Sequence, residues 1–386
     1  MSRLPAWLRV AAAMFAVGWG ANQFAAMLLV YRAEDGFSTE AVTALFGAYA
    51  LGLIPALLIV GPVSDRIGRR AVMRPVLVLS VIATLVLVLA QGSLVLLLIG
   101  RLLAGVASGA AFAPGTAWVK EMSVGASGTG ARRATLALSA GFGSGPLVAG
   151  VVAQWLPAPT VLPYVPHLAL MMVVAAIAWG APEPPTVAGR RTSRRSVEVW
   201  QALRSRPFVL GVALTAPWVF GAASTSFATL PTFVQIDVAP IAVTGSLAGL
   251  TLWTGVAIQP LGRRLGNPRV IVTAGLAASA VGLLVGVALA RTGAAWLLVP
   301  TAVLLGIGYG LVLVGGLTTV ERLAHPDDLG TLNAIFYSLT YLGFAAPLLS
   351  TLTLKALSPT ELMLVGVGVI AVTVPGVLVS GRVRGR

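Results

Sequence analysis

The chain is organised as twelve apolar windows, each about 20 residues long, separated by short segments rich in Arg, Pro and Gly. This is the length that a helix needs to cross a bilayer. Of the 386 residues, 57% are apolar and 10% are charged, which is too few charges to cover a soluble domain. We therefore predict spans at residues 7–31, 41–60, 73–91, 94–117, 134–155, 162–181, 207–235, 241–261, 270–290, 294–319, 331–354 and 361–380.

The basic residues provide an independent test of this count, because Lys and Arg collect in cytoplasmic segments. The chain carries 26 of them against 12 acidic residues, a net charge of +14. With the N-terminus inside, only Arg32, Arg291 and Lys355 fall outside, and Arg101 falls within a span. This asymmetry predicts that both termini are cytoplasmic. The positive charge thus reports membrane topology, and we expect no nucleic-acid partner.

Residue types that several chemistries require are missing from the sequence. It contains no Cys, which excludes disulfides and Cys-based metal sites. His167 and His325 are its two histidines, and we interpret them as residues at loop ends rather than as metal ligands. The sequence has no P-loop and no nucleophile elbow. We therefore expect no metal, no cofactor and no enzyme activity.

An internal repeat divides the chain in two. The segment GPVSDRIGRR at 61–70 matches QPLGRRLGNPR at 259–269 at an offset of 198 residues, which indicates a duplication. The aligned residues are Pro62 with Pro260, Arg66 with Arg264, and Gly68 with Gly266. The longest polar interruption, containing GRRTSRRS, is typical of a flexible basic linker. We predict an all-α membrane protein with six-helix bundles at 1–181 and 207–386, joined by a cytoplasmic linker at 182–206.

The first copy of the repeat resembles the signature of the major facilitator superfamily, Gly-x-x-x-Asp-Arg-x-Gly-Arg-Arg/Lys, in the loop between helices two and three. Small Gly61 permits close helix approach, Gly68 permits a tight turn, and Asp65 can accept hydrogen bonds from a helix N-terminus or an arginine. The resemblance implies two pseudo-symmetric six-helix bundles and a gating role for this loop. The alternative is that the arginines only anchor topology. The matching residues are Gly61, Asp65, Arg66, Gly68, Arg69 and Arg70.

Arg101 lies in the fourth span, in LLLIGRLLAGVASG, which resembles the family pattern Arg-x-x-Gln-Gly-x-Gly with Ala104 and Ala107 as departures. A guanidinium at the centre of a span costs about 2.5–3.5 kcal/mol. We therefore expect Arg101 to face the bundle interior or a wet cavity and to have a partner. The resemblance implies a role in proton coupling or in helix positioning. The alternative is a side chain that extends to the membrane interface.

The fifth span contains LSAGFGSGPLVAG, which resembles the antiporter motif Gly-x-x-x-Gly-Pro-x-x-Gly-Gly of drug/proton antiporters. Glycines four residues apart form a smooth face on which another helix can lie, and a proline introduces a bend. Close packing follows from the residues themselves, and plain helix packing is the alternative to a role in transport. Export is implied by the resemblance alone. The matching residues are Gly141, Gly145, Pro146 and Gly150.

Polar and aromatic residues within spans are candidates for substrate contact, at an expected cavity between the halves. Asn333, Tyr337 and Tyr341 are spaced along one helix face. For each candidate, structural hydrogen bonding or an interfacial aromatic belt is the alternative. The full set is Asn22, Gln23, Trp218, Ser224, Trp253, Asn333, Tyr337 and Tyr341.

Energy coupling stays open because all twelve acidic residues fall in predicted loops or near span ends, so that uniport is an alternative to proton coupling. We interpret the chain as a secondary transporter that exports small amphipathic organic compounds, in exchange for protons, by alternating access. An uptake symporter or facilitator for a small polar metabolite is the alternative. The expected partners are a small-molecule substrate, protons and the lipid bilayer. We expect a monomer in the bacterial cell (inner) membrane.

Overall fold

The structure, a computed structural model, describes residues 4–124, 129–184, 195–325 and 328–380. Within them the fold is helical, without strands. Eleven helices are long and apolar enough to cross a membrane, and Leu162–Ala178 is a shorter apolar helix, which confirms the all-α prediction. In chain order they are α1 (Ala6–Glu34), α2 (Thr39–Ile67), α3 (Arg69–Leu89), α4 (Leu94–Glu121), α5 (Thr129–Trp155), α6 (Leu162–Ala178), α7 (Arg206–Phe233), α8 (Pro240–Arg264), α9 (Pro268–Thr292), α10 (Ala295–Leu323), α11 (Leu329–Thr353) and α12 (Pro359–Val379).

Several residues named in the sequence predictions lie outside the described ranges. The middle of the predicted linker, 185–194, lies outside the described residues. So do Arg3, Asp327, Arg382, Arg384 and Arg386. The last part of the predicted linker contains a short helix, Arg195–Arg204.

Helix α2 is longer than its apolar stretch predicts. We expected it to end at residue 60, with a loop from Gly61, but the helix continues to Ile67. Polar side chains at a helix end need no apolar surroundings, and the backbone hydrogen bonds continue through them. Gly68 alone separates α2 from α3, with a φ of 99°, a conformation that favours glycine. The predicted tight turn is therefore present, and the residues before it are helical.

Side-chain caps explain where several helices begin. Ser38 accepts a hydrogen bond from the Ala41 backbone N–H at the start of α2, over 3.2 Å. Asn267 accepts from the Arg269 N–H at the start of α9, over 3.1 Å. Ser358 and Glu361 form a reciprocal capping box at the start of α12. Such caps satisfy backbone donors that the first turn of a helix leaves without partners.

Three of the long helices are interrupted. In α1, Gln23 separates two α-helical segments. Helix α7 contains two π-helical stretches, and α11 contains a 3₁₀ turn. Such interruptions disturb the regular hydrogen-bond ladder and are frequent where membrane helices line functional sites. The segments are Ala6–Asn22 and Phe24–Glu34 in α1; Val209–Ala213 and Thr225–Thr229 in α7; and Leu342–Ala345 in α11.

The described residues form two compact units. The first unit contains residues 4–184 together with Val238–Gly249, the start of α8. The second unit contains residues 195–237 and those from Leu250 onward. The division into two six-helix bundles around a linker at 182–206 stays a prediction.

Glycines bring α2 and α4 together within the first unit. A β-carbon at Gly105 of α4 would collide with the Tyr49 carbonyl oxygen of α2, and one at Gly109 would collide with that of Leu53. On α2, Gly52 lies equally close to the Leu102 carbonyl oxygen. The two backbones are therefore in direct contact. This contact places Arg101, one turn before Gly105, against the start of α2.

Candidate functional site

The side chain of Arg101 is completely buried in the first unit, with 0% of its surface exposed. Its guanidinium donates to three backbone carbonyl oxygens, those of Ala21 on α1 at 3.3 Å, and of Leu45 and Phe46 on α2 at 3.2 Å each. The prediction that it faces the interior is confirmed, and extension to the membrane interface is excluded. Arg101 thus connects α4 to both α2 and α1. Its acceptor on α1, Ala21, lies two residues before the interruption at Gln23.

The partners of Arg101 are neutral. Its guanidinium carbon lies 4.4 Å from the ring centre of Phe24 and 4.8 Å from that of Tyr49, distances at which a cation is attracted to an aromatic face. A third ring, that of Phe46, has its centre 5.9 Å from the guanidinium carbon. In the part of the chain that the structure describes, no carboxylate lies within ion-pair distance of Arg101. Carbonyl oxygens and π-electrons therefore stabilise the charge.

His167 is a second buried polar residue beside α1, and the prediction that it lies at a loop end is wrong. It lies within α6 and is 0% exposed. Its Nδ1 is 2.9 Å from the Thr84 hydroxyl on α3, and its Nε2 is 3.2 Å from the Ala16 carbonyl oxygen on α1. A β-carbon at Gly20 would lie 2.5 Å from Nε2, so glycine makes room for the ring.

Gln23 connects the interruption of α1 to this histidine. Its amide nitrogen donates to the Thr84 hydroxyl over a long 3.5 Å. Its amide oxygen is buried and has no hydrogen-bond partner among the described residues; the same is true of the Trp19 indole N–H. Trp19 and Gln23 lie four residues apart and so share one face of α1. This face offers an unsatisfied donor and an unsatisfied acceptor, which is what a polar ligand requires.

Two tyrosines extend the buried polar groups of the first unit. The hydroxyl of Tyr31 on α1 lies 2.7 Å from that of Tyr164 at the start of α6. Together with Arg101, His167, Gln23, Trp19 and Asn22, they form what we call the α1 polar cluster. Of these residues, the sequence pointed to Asn22, Gln23 and Arg101 and not to the others. A histidine inside an apolar span was the signal that could have found His167.

The predicted antiporter motif forms a contact face on α5. A β-carbon at Gly141 would collide with the Phe15 carbonyl oxygen of α1, and one at Gly145 would lie 2.5 Å from that of Trp19. Further along, a β-carbon at Gly150 would lie 2.9 Å from the Ile241 carbonyl oxygen of α8. The predicted close packing is therefore present. We call these three residues the α5 glycine face. Gly141 and Gly145 lie against the stretch of α1 that precedes Gln23, and Gly150 lies against α8.

Gln154 strengthens the contact between α5 and the start of α8. Its amide oxygen accepts from the backbone N–H groups of Ile241 at 3.0 Å and Ala242 at 3.4 Å. These are donors of the first turn of α8, which lack partners in the helix itself. Pro146 lies inside α5, and its carbonyl oxygen is the group that a β-carbon at Gly245 would meet.

The signature around Gly68 forms a charged cluster at the junction of α2 and α3. Arg69 donates to Asp65 at 2.5 Å and to Glu121, at the end of α4, at 3.1 Å. Glu183, which follows α6, accepts from the backbone N–H groups of Arg69 at 2.6 Å and Arg70 at 2.8 Å. We call these residues the Arg69 cluster. Asp65 binds an arginine, as predicted, while Glu183 binds the helix N-terminus.

Two residues of this signature behave differently from the rest. A β-carbon at Gly61 would meet only the Ala113 β-carbon at 3.6 Å, an ordinary contact, so the expected close helix approach at Gly61 is wrong. The side chain of Arg66 is exposed. The tight geometry of the signature lies at Gly68, where a β-carbon would lie 2.9 Å from a Glu183 carboxylate oxygen.

The remaining substrate candidates lie in the second unit. Tyr341 is buried and stacks on Phe220 of α7, with ring centres 4.5 Å apart. Ser224 donates to the Gly343 carbonyl oxygen over 3.3 Å, so α7 and α11 are in contact here. Trp253 differs in being 43% exposed. Among the others, Trp218, Asn333 and Tyr337 are half-buried. Their roles stay predictions.

A cavity of about 170 Å³ opens at one end of the second unit, where α7, α9, α10 and α12 meet. Its floor is mostly apolar, and two arginines lie among its lining residues. None of the predicted substrate residues lines it. The lining is Pro207, Gly211, Pro268, Arg269, Val272, Thr319, Arg322, Leu323, Val377 and Ser380.

Two residues that line this cavity correspond, through the internal repeat, to arginines of the first unit. In the first unit, Arg9 donates to the Ile177 carbonyl oxygen over 2.6 Å, and Arg74 donates to another carbonyl oxygen at the end of α6. The positions 198 residues further on are Pro207 and Val272. Both are apolar, so these two arginine contacts have no counterpart at the same positions of the second unit.

The eleven long apolar helices and the shorter apolar helix α6 define a multi-pass membrane protein with buried polar groups around Gln23. The chain matches the Major Facilitator Superfamily over residues 10–347. It therefore belongs to this superfamily, and it is a membrane transporter rather than an enzyme.

Solved structures with the same fold include the nucleoside transporter NupG. This structure superposes with a TM-score of 0.74 at 10% identity and covers 99% of this chain and 100% of its own. An aspartate-to-alanine variant of NupG gives a TM-score of 0.76 at 10% identity, over 98% of this chain and 100% of that one. At this identity the likeness shows the fold alone. No curated protein matches the sequence.

Proposed function

We propose that the chain is a secondary transporter that exports small amphipathic organic compounds in exchange for protons, by alternating access. The observation that carries export is the α5 glycine face. Its glycines match the motif of drug/proton antiporters; Gly141 and Gly145 lie directly on the backbone of α1 before Gln23, and Gly150 lies on that of α8. In exchange, two binding events are coupled to one conformational change. Helix α5 contacts both α1 and α8, so it is well placed to contribute to this conformational change.

The α1 polar cluster supplies the groups that this function requires. Trp19 and Gln23 present a buried donor and a buried acceptor for a polar part of the substrate. Asn22, which is also buried, lies beside them. Arg101 fixes the carbonyl groups next to this site.

We assign a gating role to the Arg69 cluster. Three carboxylates from the ends of α2 and α4 and from the segment after α6 converge on one arginine and its backbone. A cluster of this kind can hold helix ends together in one state of the cycle and release them in another. Asp65 is 56% exposed, so its bond to Arg69 contributes little stability and can break at low cost.

A second candidate is uptake of a polar metabolite such as a nucleoside. The unsatisfied amide oxygen of Gln23 favours it, since side-chain amides form paired hydrogen bonds with the edges of bases. The likeness in fold to NupG agrees with this candidate without deciding between the two.

Transport by the purified protein in liposomes distinguishes these functions. Under an imposed pH gradient, we expect fluorescent dyes and antibiotics to move against the proton flux and to change the luminal pH. Labelled uridine and adenosine are the matched test of the second candidate. Accumulation of nucleosides without movement of any amphipathic compound would replace export with uptake. Substrate movement that is insensitive to the pH gradient would leave a uniporter.

We further propose a monomeric protein of a bacterial cell membrane with both termini in the cytoplasm. The distribution of basic residues supports the orientation. A single chain contains both copies of the repeat, so a complete carrier requires no second subunit.

A further inference from the structure

We propose that His167 is the proton-binding site of the transporter, and that Thr84 and Gln23 relay its protonation to the interruption in α1. This inference rests on the proposed proton coupling. The carboxylates of the described residues lie at helix ends or in connections, so they leave no acid in the middle of a span. His167 is the buried imidazole among these residues, and it contacts the helix that carries the candidate substrate groups.

The hydrogen bonds around the ring define its neutral form. The Ala16 carbonyl oxygen can only accept, so Nε2 carries the hydrogen. Nδ1 therefore accepts from the Thr84 hydroxyl, whose oxygen accepts in turn from the Gln23 amide nitrogen. Each of these three hydrogen bonds pairs one donor with one acceptor. The amide oxygen of Gln23 has no hydrogen-bond partner among the described residues.

Binding of a proton reverses the donor and acceptor roles in the hydrogen bonds that link His167, Thr84 and Gln23. When a proton from bulk water binds the Nδ1 lone pair, the ring becomes a donor to the Thr84 oxygen. The Thr84 hydroxyl hydrogen must then find another acceptor, and the amide oxygen of Gln23 becomes that acceptor if the amide rotates by half a turn. No covalent bond besides the new N–H is formed. The orientation of Gln23 therefore reports the charge of His167.

The surroundings of His167 explain why its protonation would change the state of the carrier. Its neighbours on α1 and α3 are Ala16, Gly20 and Thr84, all uncharged. Among the described residues, the other buried titratable or charged groups of the first unit are Tyr31, Tyr49, Tyr164 and Arg101. The others lie at helix ends: Arg9, Arg32 and Glu34 on α1; Arg69, Arg70 and Arg74 on α3; Arg132 and Arg133 on α5.

Among the described residues, no carboxylate is hydrogen-bonded to the ring, so an imidazolium here has only neutral acceptors, and the Arg101 cation contacts the same helix, α1, at Ala21. A charge in such a place is costly. Protonation consequently favours a state in which water or an anion reaches the ring. A ligand whose affinity differs between two states shifts their populations, which is the requirement for coupling.

The variant His167→Gln tests the proposal in liposomes. Glutamine offers an N–H to Ala16 and a carbonyl oxygen to Thr84, but its side chain does not bind a proton near neutral pH. We expect the ratio of flux driven by a pH gradient to counterflow without a gradient to fall about tenfold. His325→Gln, which changes an exposed histidine, is the matched control and should keep the ratio. An unchanged ratio in His167→Gln would overturn the proposal.

Nitrogen-15 NMR of labelled histidine tests the site without transport. In a His325→Gln background, His167 gives the single imidazole signal. We expect a neutral ring with hydrogen on Nε2 that titrates within the pH range where the protein stays folded, and a shifted Nδ1 signal in Thr84→Val. A ring that stays neutral throughout would refute the proposal. If the unaltered protein shows no pH-driven flux, the proposed function fails instead, and this experiment still decides whether His167 binds a proton.

Discussion

At the scale of the residue, Arg101 shows how a cation is kept inside an apolar bundle without an anion. Its three acceptors are carbonyl groups on two helices, and its planar guanidinium also lies over aromatic rings. Hydrogen bonds from a charged donor contribute about 1.5–3 kcal/mol each. The geometry depends on a forked donor, which lysine lacks.

We expect Arg101→Lys to reduce transport at least about tenfold and to lower the melting temperature, because one ammonium cannot reach carbonyls on both α1 and α2. Arg74→Lys is the matched control, since both of its bonds end on a single carbonyl oxygen, that of Trp179. Flux in liposomes and thermal unfolding in detergent provide the measurements. Wild-type transport by Arg101→Lys would show that the forked geometry is dispensable.

Asp35, after the end of α1, makes stability depend on pH. Partial burial, with the adjacent Glu34, raises the pKa of Asp35, while the Gly92 backbone N–H opposes this. Because the folded pKa exceeds the unfolded one, the stabilisation is complete below the unfolded pKa and is lost as pH rises through the folded pKa. We expect Asp35→Asn to raise the melting temperature more at neutral pH than near pH 4.

Melting temperatures of the unaltered protein and of Asp35→Asn, in the same detergent at both pH values, provide the measurement. An equal change at the two pH values would contradict a raised pKa of Asp35.

Individual residues differed in how far the sequence could predict them. The burial of Arg101 followed from the cost of a charge inside a span. His167 was misplaced because one histidine in an apolar segment has no periodic pattern, and its partners on α1 and α3 are distant in sequence. Gly61 was misjudged because composition does not reveal which glycine faces a backbone and which faces only a methyl group.

At the scale of the element, glycine positions decide how closely the helices approach. Gly145 of the α5 glycine face lies against the Trp19 carbonyl oxygen, a backbone atom that cannot turn away. We expect Gly145→Ala to destabilise the protein by about 1–3 kcal/mol, since the helices must separate. Gly61→Ala is the control and should leave stability unchanged or slightly higher, because alanine favours helix.

Thermal unfolding of both variants in the same detergent measures this difference. Equal melting temperatures for Gly145→Ala and Gly61→Ala would contradict direct backbone contact between α5 and α1.

The N-terminus of helix α3 is capped by a carboxylate from the segment after α6. Glu183 accepts from the Arg69 and Arg70 backbone N–H groups, where a negative charge favours a helix N-terminus. We expect Glu183→Gln to cost about 0.3–1 kcal/mol, since the amide keeps an acceptor but loses the charge. Glu34 is exposed and lies at the C-terminal end of α1, where a negative charge does not stabilise the helix, so Glu34→Gln should not destabilise the protein. Chemical unfolding measures both, and an equal loss would exclude the charge effect.

The existence of the helices was predictable from apolar length, whereas their ends and interruptions were not. Helix α2 passes its predicted end because polar residues extend it to Ile67. The interruption at Gln23 leaves no mark in the sequence, since neither Gly nor Pro is present there. It depends on contacts with α3, α4 and α5, which only the tertiary structure shows.

At the scale of the whole molecule, the absence of cysteine permits a direct test of topology. Arg32, at the end of α1, and Arg263, at the end of α8, are both exposed and belong to opposite sides in the predicted orientation. In intact cells, an impermeant maleimide should label Arg32→Cys, and it should label Arg263→Cys only after permeabilisation. The reverse pattern would invert the orientation of every span.

The repeat at offset 198 predicted the relation between the two copies and also marks where they diverge. Gly68 and Gly266 have positive φ values of 99° and 68° between consecutive helices. The ends of α6 and α12, by contrast, differ because Arg9 and Arg74 have apolar counterparts. Composition could not predict the cavity beside α12, since it depends on which side chains meet.

Because Arg101 is bound by neutral groups, the first unit carries an uncancelled elementary charge among its helices. An electric field acts on such a charge, and moving it across a whole membrane involves about 2.3 kcal/mol for each 100 mV. A carboxylate partner would have removed this effect, but carbonyl oxygens do not. Any step of the cycle that changes the depth of Arg101 is therefore driven or opposed by membrane voltage as well as by the gradients of solutes.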